Sequence, residues 1–279
     1  MACNLRASGY AVLGYDPSGE AADRLRAAGG DVVPSAGAVA RRAQVLITSL
    51  PTVAAFEQVM AELAQAGPAG QIIIETSTMP LEAKLRAHAR CSQAGQVLLD
   101  CTVSGTGAQA ARRDLVVFGS GEEACFDQVR PVLDTISRRQ FFLGKFGNGS
   151  TMKFIANHLV SIHNAAAAEA FALAGSAGLD LGTVFEALED SAASSRMFQL
   201  RGPMMVQGRY EPPTATVDMF MKDLDVIAGF AAQLRCPTPL FTATTQLYYA
   251  ALHRGQGGLD TASVCSVLEQ MAGVERDKT

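Results

Sequence analysis

The sequence predicts an α/β domain followed by an all-α domain, joined by one long helix. Three observations lead there. In the first half, short apolar runs alternate with helical stretches, the pattern of strands and crossover helices that builds a parallel sheet covered on both faces. After Phe146 the strand pattern stops and helical stretches follow one another. Between the two halves, a proline-free apolar run opens at a glycine-rich turn and continues to Gly178. The boundary falls near residue 145, giving domains of residues 1–145 and 146–279.

In the first half, residues 11–15, 45–50, 71–75, 97–101, 115–118 and 140–143 read as strands. They are short, rich in Val, Ile, Leu and Phe, and bounded by Gly, Pro or polar residues. Residues 19–28, 52–65, 81–92 and 122–133 read as helices. In the second half, helical stretches cover 181–190, 197–207, 217–234, 239–254 and 261–271, with Pro203, Pro212, Pro213 and Pro237 at or near breaks.

The joining helix begins at Gly147-Asn148-Gly149-Ser150, where Ser150 is the expected N-cap, and stops at Gly178, where a left-handed C-cap is wanted. It spans roughly 28 residues, about 40 Å. Lys153 and Asn157 sit four residues apart on it and project from one face. Their neighbours Met152, Phe154, Ile155 and Leu159 are apolar. A lysine in that setting either snorkels to the surface or is held in a cleft, where burial and neighbours can make it a general acid or base.

Composition narrows the function classes. The chain has 279 residues, 48% hydrophobic and 18% charged, enough to bury a sizeable core. A net charge of −4 carries no basic footprint for nucleic acid. Six cysteines are scattered without CxxC or Cys/His ligand spacing, so reduced cytoplasmic thiols and no metal site are expected. No stretch has the length and apolarity of a membrane span. His88, His158, His163 and His253 have no partners at metal or triad spacing and read as surface or helix-interface residues. Cys101 has no base near it in sequence and is not read as a nucleophile, while Ser194-Ser195 fall in a loop that could approach substrate.

Ligands of doubly wound sheets lie at the carboxyl ends of the strands. Those ends carry Asp16, Leu50-Pro51-Thr52, Thr76-Ser77-Thr78 and Val103 to Gly107. Each alone is ordinary turn chemistry. Together they line the edge where a nucleotide would lie, with Asp16 placed to receive ribose hydroxyls and to disfavour a 2′-phosphate. No strand and GxGxxG turn precede residue 11; residues 1–5 read as the interior of a helix. The first domain is therefore expected to be incomplete, with the strands at 11–15 and 71–75 facing the gap.

These motifs, in this order and spacing, resemble the beta-hydroxyacid dehydrogenases, the family of 3-hydroxyisobutyrate dehydrogenase and tartronate semialdehyde reductase. The likeness covers nearly the whole chain and starts inside the family's first helix. Leu50-Pro51 match its LP segment and Ser77-Thr78 its ST segment. Residues 100–106, DCTVSGT, match its DAPVSGG signature, with Thr102 in the proline's place and Thr106 in the second glycine's. Gly147, Gly149, Lys153 and Asn157 match GxGxxxKxxxN, and Lys222-Asp223-Leu224 match a late KDL motif.

The resemblance implies a Rossmann-type first domain without its first strand and glycine-rich loop, and an all-α second domain for substrate and oligomerisation. It implies hydride transfer between a nicotinamide, NAD rather than NADP, and a small 3-hydroxy acid such as 3-hydroxyisobutyrate. Lys153 would be the general acid/base, with Asn157 orienting substrate. Ser104, Gly105, Thr106, Asn157 and Lys222 would bind substrate, with Ser104 and the amides near Gly105 gripping its carboxylate, Lys222 adding positive charge and Thr106 favouring a polar substrate. Asp16, Leu50, Pro51, Thr78, Phe220 and Lys222 would line the cofactor, although a core aromatic accounts for Phe220 equally well. A soluble cytoplasmic homo-oligomer, dimer or tetramer, is implied. The alternatives are a tartronate semialdehyde (2-hydroxy-3-oxopropionate) reductase and a truncated non-catalytic homologue; the retained lysine argues against an imine reductase.

Overall fold

A computed structural model describes residues 1–276. The chain divides into two compact units, Met1–Lys153 and Phe154–Thr279. The first is an α/β unit of Rossmann type and the second is helical.

In the first unit, α1 (Ala2–Ala7) precedes β1 (Leu13–Gly14), α2 (Gly19–Ala27), β2 (Asp31–Val32) and α3 (Ala36–Ala40). Then come β3 (Val45–Thr48), α4 (Val53–Ala66), β4 (Ile72–Glu75), α5 (Leu81–Gln93) and β5 (Val97–Ser104). Next are α6 (Gly107–Ala111), β6 (Leu115–Ser120), α7 (Glu123–Asp134) and β7 (Ser137–Phe142). Side-chain caps start several helices: the Ala21, Ala38 and Ala55 amides donate to the hydroxyls of Ser18, Ser35 and Thr52.

The strands form a two-stranded sheet, β1-β2, and a five-stranded sheet in the order β3-β4-β5-β6-β7. Alternate residues along β4 and β5 enter opposite cores. Ile73 and Leu98 join Phe56, Met60 and Leu63 of α4 and Ala83, Ala87 and Cys91 of α5. Ile72, Ile74, Leu99 and Cys101 join Phe126, Val129 and Leu133 of α7. Both faces of the sheet are thus covered at β4 and β5, which explains apolar residues at consecutive positions there.

Four sequence expectations change. First, β6 runs antiparallel to β5, from the Asp100–Ser120 pair to the Ser104–Val116 pair. The ten residues between Ser104 and Leu115 are too few for a parallel crossover. Second, β5 continues through Ser104, because this ladder pairs the motif residues expected in the following loop. Third, β2 was too short to be legible. It pairs with β1 in a separate sheet, and the terminal strand of the five-stranded sheet is β3; β4, the 71–75 strand, is paired on both sides. Fourth, Ser150 is not the N-cap of the long helix. That helix, α8, runs from Asn148 to Ser176, and Ser150 lies in its first turn.

Helix α8 has 29 residues, and its end matches expectation. Gly178 adopts φ +73°. Its amide bonds the Gly175 carbonyl and the Leu179 amide bonds the Ala174 carbonyl, the pair of a Schellman stop. The second unit continues with α9 (Leu181–Leu188), α10 (Arg196–Gln207), α11 (Val217–Gln233) and α12 (Pro239–His253). A 3₁₀ turn (Thr261–Ser263) then leads into α13 (Val264–Met271). Asp180, Ser195 and Thr216 cap α9, α10 and α11, which assigns Ser195 a structural role. Pro203 lies inside α10 and does not break it, another departure from expectation. Among the described residues no helix is long and apolar enough to cross a membrane.

One buried carboxylate knits the helical unit. Asp260 is fully buried and accepts from Arg201 Nε at 3.1 Å, Ala262 N at 2.9 Å, and Thr214 N and Oγ1 at 2.7 Å each. Burial alone would raise its pKa, but Arg201 and these donors hold it below the usual carboxylate value. Asp260→Ala, which strands the buried Arg201, is expected to cost about 3–5 kcal/mol. Because the folded pKa is depressed, the contribution is present above the ordinary carboxylate range and is lost as pH falls through the folded value. Urea denaturation of parent and variant, at neutral and acid pH, should show a gap that narrows with acid. A gap below about 1 kcal/mol at neutral pH would contradict this role.

Candidate active site

The most tightly built part of the first unit surrounds the start of α8. An isolated helix leaves its first amides without partners. Here they are filled, two of them from the sheet. Asn148 N donates to the Lys145 carbonyl at 3.0 Å, Gly149 N to Ser120 Oγ at 2.9 Å, and Ser150 N to Asp100 Oδ2 at 2.7 Å. Ser150 Oγ donates to Asp100 Oδ1 at 2.9 Å, and Thr102 Oγ1 donates to the Gly149 carbonyl at 2.8 Å.

The glycines of the motif are required by this approach. Gly147 has φ +96°, and a Cβ there would meet Leu81 Cδ1 at 2.8 Å. A Cβ on Gly149 would lie 2.4 Å from the Phe118 carbonyl oxygen and 2.5 Å from that of Asp100. Both contacts are with backbone, so neither can yield cheaply.

Beneath this turn lies an ionic cluster that the sequence reading did not single out. Lys84 of α5, Glu75 of β4 and Asp100 of β5 are all fully buried. Lys84 Nζ donates to Asp100 Oδ1 at 2.6 Å and lies 2.6 Å from Glu75 Oε2. The second contact is likewise a buried ion pair. Glu75 Oε1 accepts the Ser77 amide at 2.9 Å, and Ser77 Oγ accepts the Leu50 amide at 2.7 Å. The cluster therefore also fixes the ends of β3 and β4. Burial alone would lower the Lys84 pKa, but Asp100 and Glu75 outweigh it and hold it above the ordinary 10.5. The signal was present in the sequence: Ala83, Lys84, Ala87 and Cys91 form one buried face of α5, and a lysine on such a face needs carboxylates.

Lys153 sits half-buried on α8, three residues beyond Ser150. Ser104 ends β5 and Gly105 takes φ +137°. Thr106 caps α6: its hydroxyl accepts the Gln109 amide at 3.4 Å while its own amide donates to Gln109 Oε1 at 2.9 Å. The Thr106 amide is thus engaged within the loop. Asp16 is exposed just past β1, Oδ1 accepting the Ser18 amide at 2.9 Å. Its sheet is separate from that of Leu50, Pro51 and Thr78.

In the second unit Asn157 is buried and donates from Nδ2 to Asp223 Oδ2 at 2.7 Å, with Lys222 Nζ 3.5 Å from Asp223 Oδ1. The Asn157–Asp223 bond spans 66 positions and has no local signal in the sequence. Phe220 is buried against Tyr248, with ring centroids 5.5 Å apart, a packing role. His88 packs on Phe146 and His158 on Phe241, each at a helix surface. Burial pushes the Cys101 thiol well above its ordinary value, so it is not a thiolate near neutrality.

An exposed carboxylate after β1 and polar residues at the ends of β3 and β4 fit the ribose and nicotinamide portions of a dinucleotide. The glycine-rich turn that would cradle its phosphates is not among the described residues.

The fold and these strand ends define a nicotinamide-dependent oxidoreductase, and the comparisons agree. Residues 1–144 match the family described as the NAD binding domain of 6-phosphogluconate dehydrogenase. Residues 147–268 match the NAD-binding family of NADP-dependent 3-hydroxyisobutyrate dehydrogenase. The chain belongs to the beta-hydroxyacid dehydrogenase family. It is 31% identical to an L-threonate dehydrogenase of Cupriavidus necator over 96% of this chain and 91% of that one. A second L-threonate dehydrogenase, of Pectobacterium atrosepticum, is 34% identical over 71% of this chain and 65% of its own length. The crystal structure of a 3-hydroxyisobutyrate dehydrogenase from Salmonella typhimurium superposes with a TM-score of 0.87 at 31% identity, covering 95% of this chain and 94% of that one.

Lys84→Met would leave two buried carboxylates facing each other and is expected to cost about 3–5 kcal/mol. Since the folded Lys84 pKa is raised, its contribution is complete below 10.5 and is lost as pH rises through the higher folded value. Urea titrations should find the gap wide near neutrality, with the parent losing this contribution only above about pH 10.5. Equal stability of the two proteins at neutral pH would show that the cluster is dispensable.

Proposed function

We propose that this chain oxidises a small hydroxy acid carrying a 3-hydroxyl, with Lys153 as the general acid/base. One observation carries the reading. The 100–106 motif and the turn leading to Lys153 are fastened to each other through Asp100 and Thr102. A carboxylate-binding strand end and a proton-transfer lysine thereby share one rigid frame within the first unit, the arrangement that general acid–base catalysis requires.

In this proposal Ser104 and Gly105, with Thr106, hold the substrate carboxylate. Lys153 takes the hydroxyl proton during oxidation and returns it during reduction. Asn157, held by Asp223, orients substrate, and Lys222 adds positive charge. A nicotinamide cofactor, when bound, supplies the hydride acceptor. Asp16, Leu50, Pro51 and Thr78 are the residues proposed to lie along it, Asp16 favouring NAD over NADP. The names of the relatives support L-threonate and 3-hydroxyisobutyrate as the substrates to try first. L-Threonate, also a 3-hydroxy acid, suits the polar loop at Thr106. The reading includes a homo-oligomer, supported by exposed Ile155 and Leu159 one turn apart on α8, and a cytoplasmic setting, supported by six free thiols.

Lys153→Ala is expected to lower turnover by roughly 10²–10⁴ with cofactor affinity little changed. Steady-state kinetics with both acids, and with tartronate semialdehyde in the reducing direction, would be read beside an NADH fluorescence titration. Turnover within about twofold of the parent would overturn the assignment of Lys153. The same titrations with NADP and NADPH test Asp16. The parent should prefer NAD, and Asp16→Ala should narrow the difference; a parent preferring NADP would remove that role.

A further inference from the structure

We infer that Thr102, with Asp100 and Ser120, is a positioning residue for Lys153, setting the rotation and height of the first turn of α8. The inference rests on the reading of Lys153 as the proton-transfer group.

Three side chains of β5 and β6 grip two consecutive residues of α8. Asp100 takes the amide and hydroxyl of Ser150, Ser120 takes the Gly149 amide, and Thr102 donates to the Gly149 carbonyl. Asp100, Thr102, Ser120 and Ser150 are all fully buried, so water does not compete for these bonds. A single hydrogen bond would leave the helix free to turn about its axis, whereas bonds to two successive residues fix that rotation. Each residue turns an α-helix by about 100° and advances it about 1.5 Å. A slip of one residue at Gly149 would swing Lys153 by about 100°, away from any substrate held by the 100–106 motif.

Electrostatics works in the same direction. Glu75 and Asp100 bring two carboxylates against the one ammonium of Lys84, and all three are buried. The remaining negative charge faces the amide end of a 29-residue helix. That end carries the equivalent of about half a positive charge. The helix start is thus attracted to Asp100 as well as hydrogen-bonded to it.

Thr102 adds a hydroxyl to the device. The signature it resembles usually has proline there, which has no hydroxyl to donate. Here the hydroxyl points to α8 and joins the clamp.

The test compares Thr102→Val, Thr102→Ser, Asp100→Asn and Lys153→Ala. Valine keeps the shape of threonine and removes the hydroxyl, and Thr102→Ser returns the hydroxyl should valine destabilise the fold. Thr102→Val should lower kcat about fivefold, with the KM for cofactor within about twofold, and Thr102→Ser should restore kcat. Asp100→Asn should lower kcat by roughly 10²-fold. The pH–rate profile should move, and so should the titration of the dimethylated Lys153 amine followed by ¹³C NMR, a readout independent of turnover. If Thr102→Val lowers only the melting temperature, and leaves kcat, the pH profile and the lysine titration unmoved, the clamp is merely structural and the inference is overturned. If Lys153→Ala is inactive while the other variants match the parent, the positioning role alone falls. If Lys153→Ala is active, the functional reading falls and takes this inference with it.

Discussion

The carboxylate of Asp100 is the contact on which the first unit depends. It lies at zero exposure between the Lys84 ammonium and the first turn of α8. Removing two carboxylates and an ammonium from water is costly, and such a cluster is rarely the cheapest way to fill a core. Its use here is geometric. Apolar packing would tolerate small rotations of α8, whereas charge-assisted hydrogen bonds of 2.6–2.9 Å tolerate few. Through Glu75, Ser77 and Leu50 the same cluster reaches the ends of β3 and β4. One network therefore sets both the strand ends proposed to receive cofactor and the helix that carries Lys153.

The glycine spacing ahead of Lys153 follows from this contact. The sheet must come within backbone distance of the helix for Asp100, Thr102 and Ser120 to reach it. Gly149 supplies the clearance and Gly147 supplies the positive φ from which the helix starts. In the second unit, Asp223 holds the Asn157 amide as Asp100 holds Ser150. In both places a buried or half-buried acid orients a polar residue of α8.

Much of the architecture was legible because it is periodic. The strands of the five-stranded sheet and the longer helices each bury a repeating face, and the Schellman stop at Gly178 is a local signal. β2, of two residues, and the short helix α3 leave no pattern to read. The direction of β6 was readable from the ten-residue link before it, but strand composition alone does not distinguish parallel from antiparallel pairing. Ser150 looked like an N-cap because its residue type favours caps; a carboxylate fifty positions away claims its hydroxyl instead. Motif residues were visible as types in order. Which of them are anchored, and by what, became visible only once the strands were paired.

Amide hydrogen exchange at Gly149 and Ser150 tests the central claim most directly. Amides in the first turn of a helix ordinarily lack intrahelical partners and exchange quickly. If the sheet clamps this turn, both amides should exchange as slowly as those of the central strand residues Ile73 and Leu99. Exchange at the rate of an open helix end, with the strand amides still protected, would show that α8 is not held by Asp100 and Ser120 and would contradict the account.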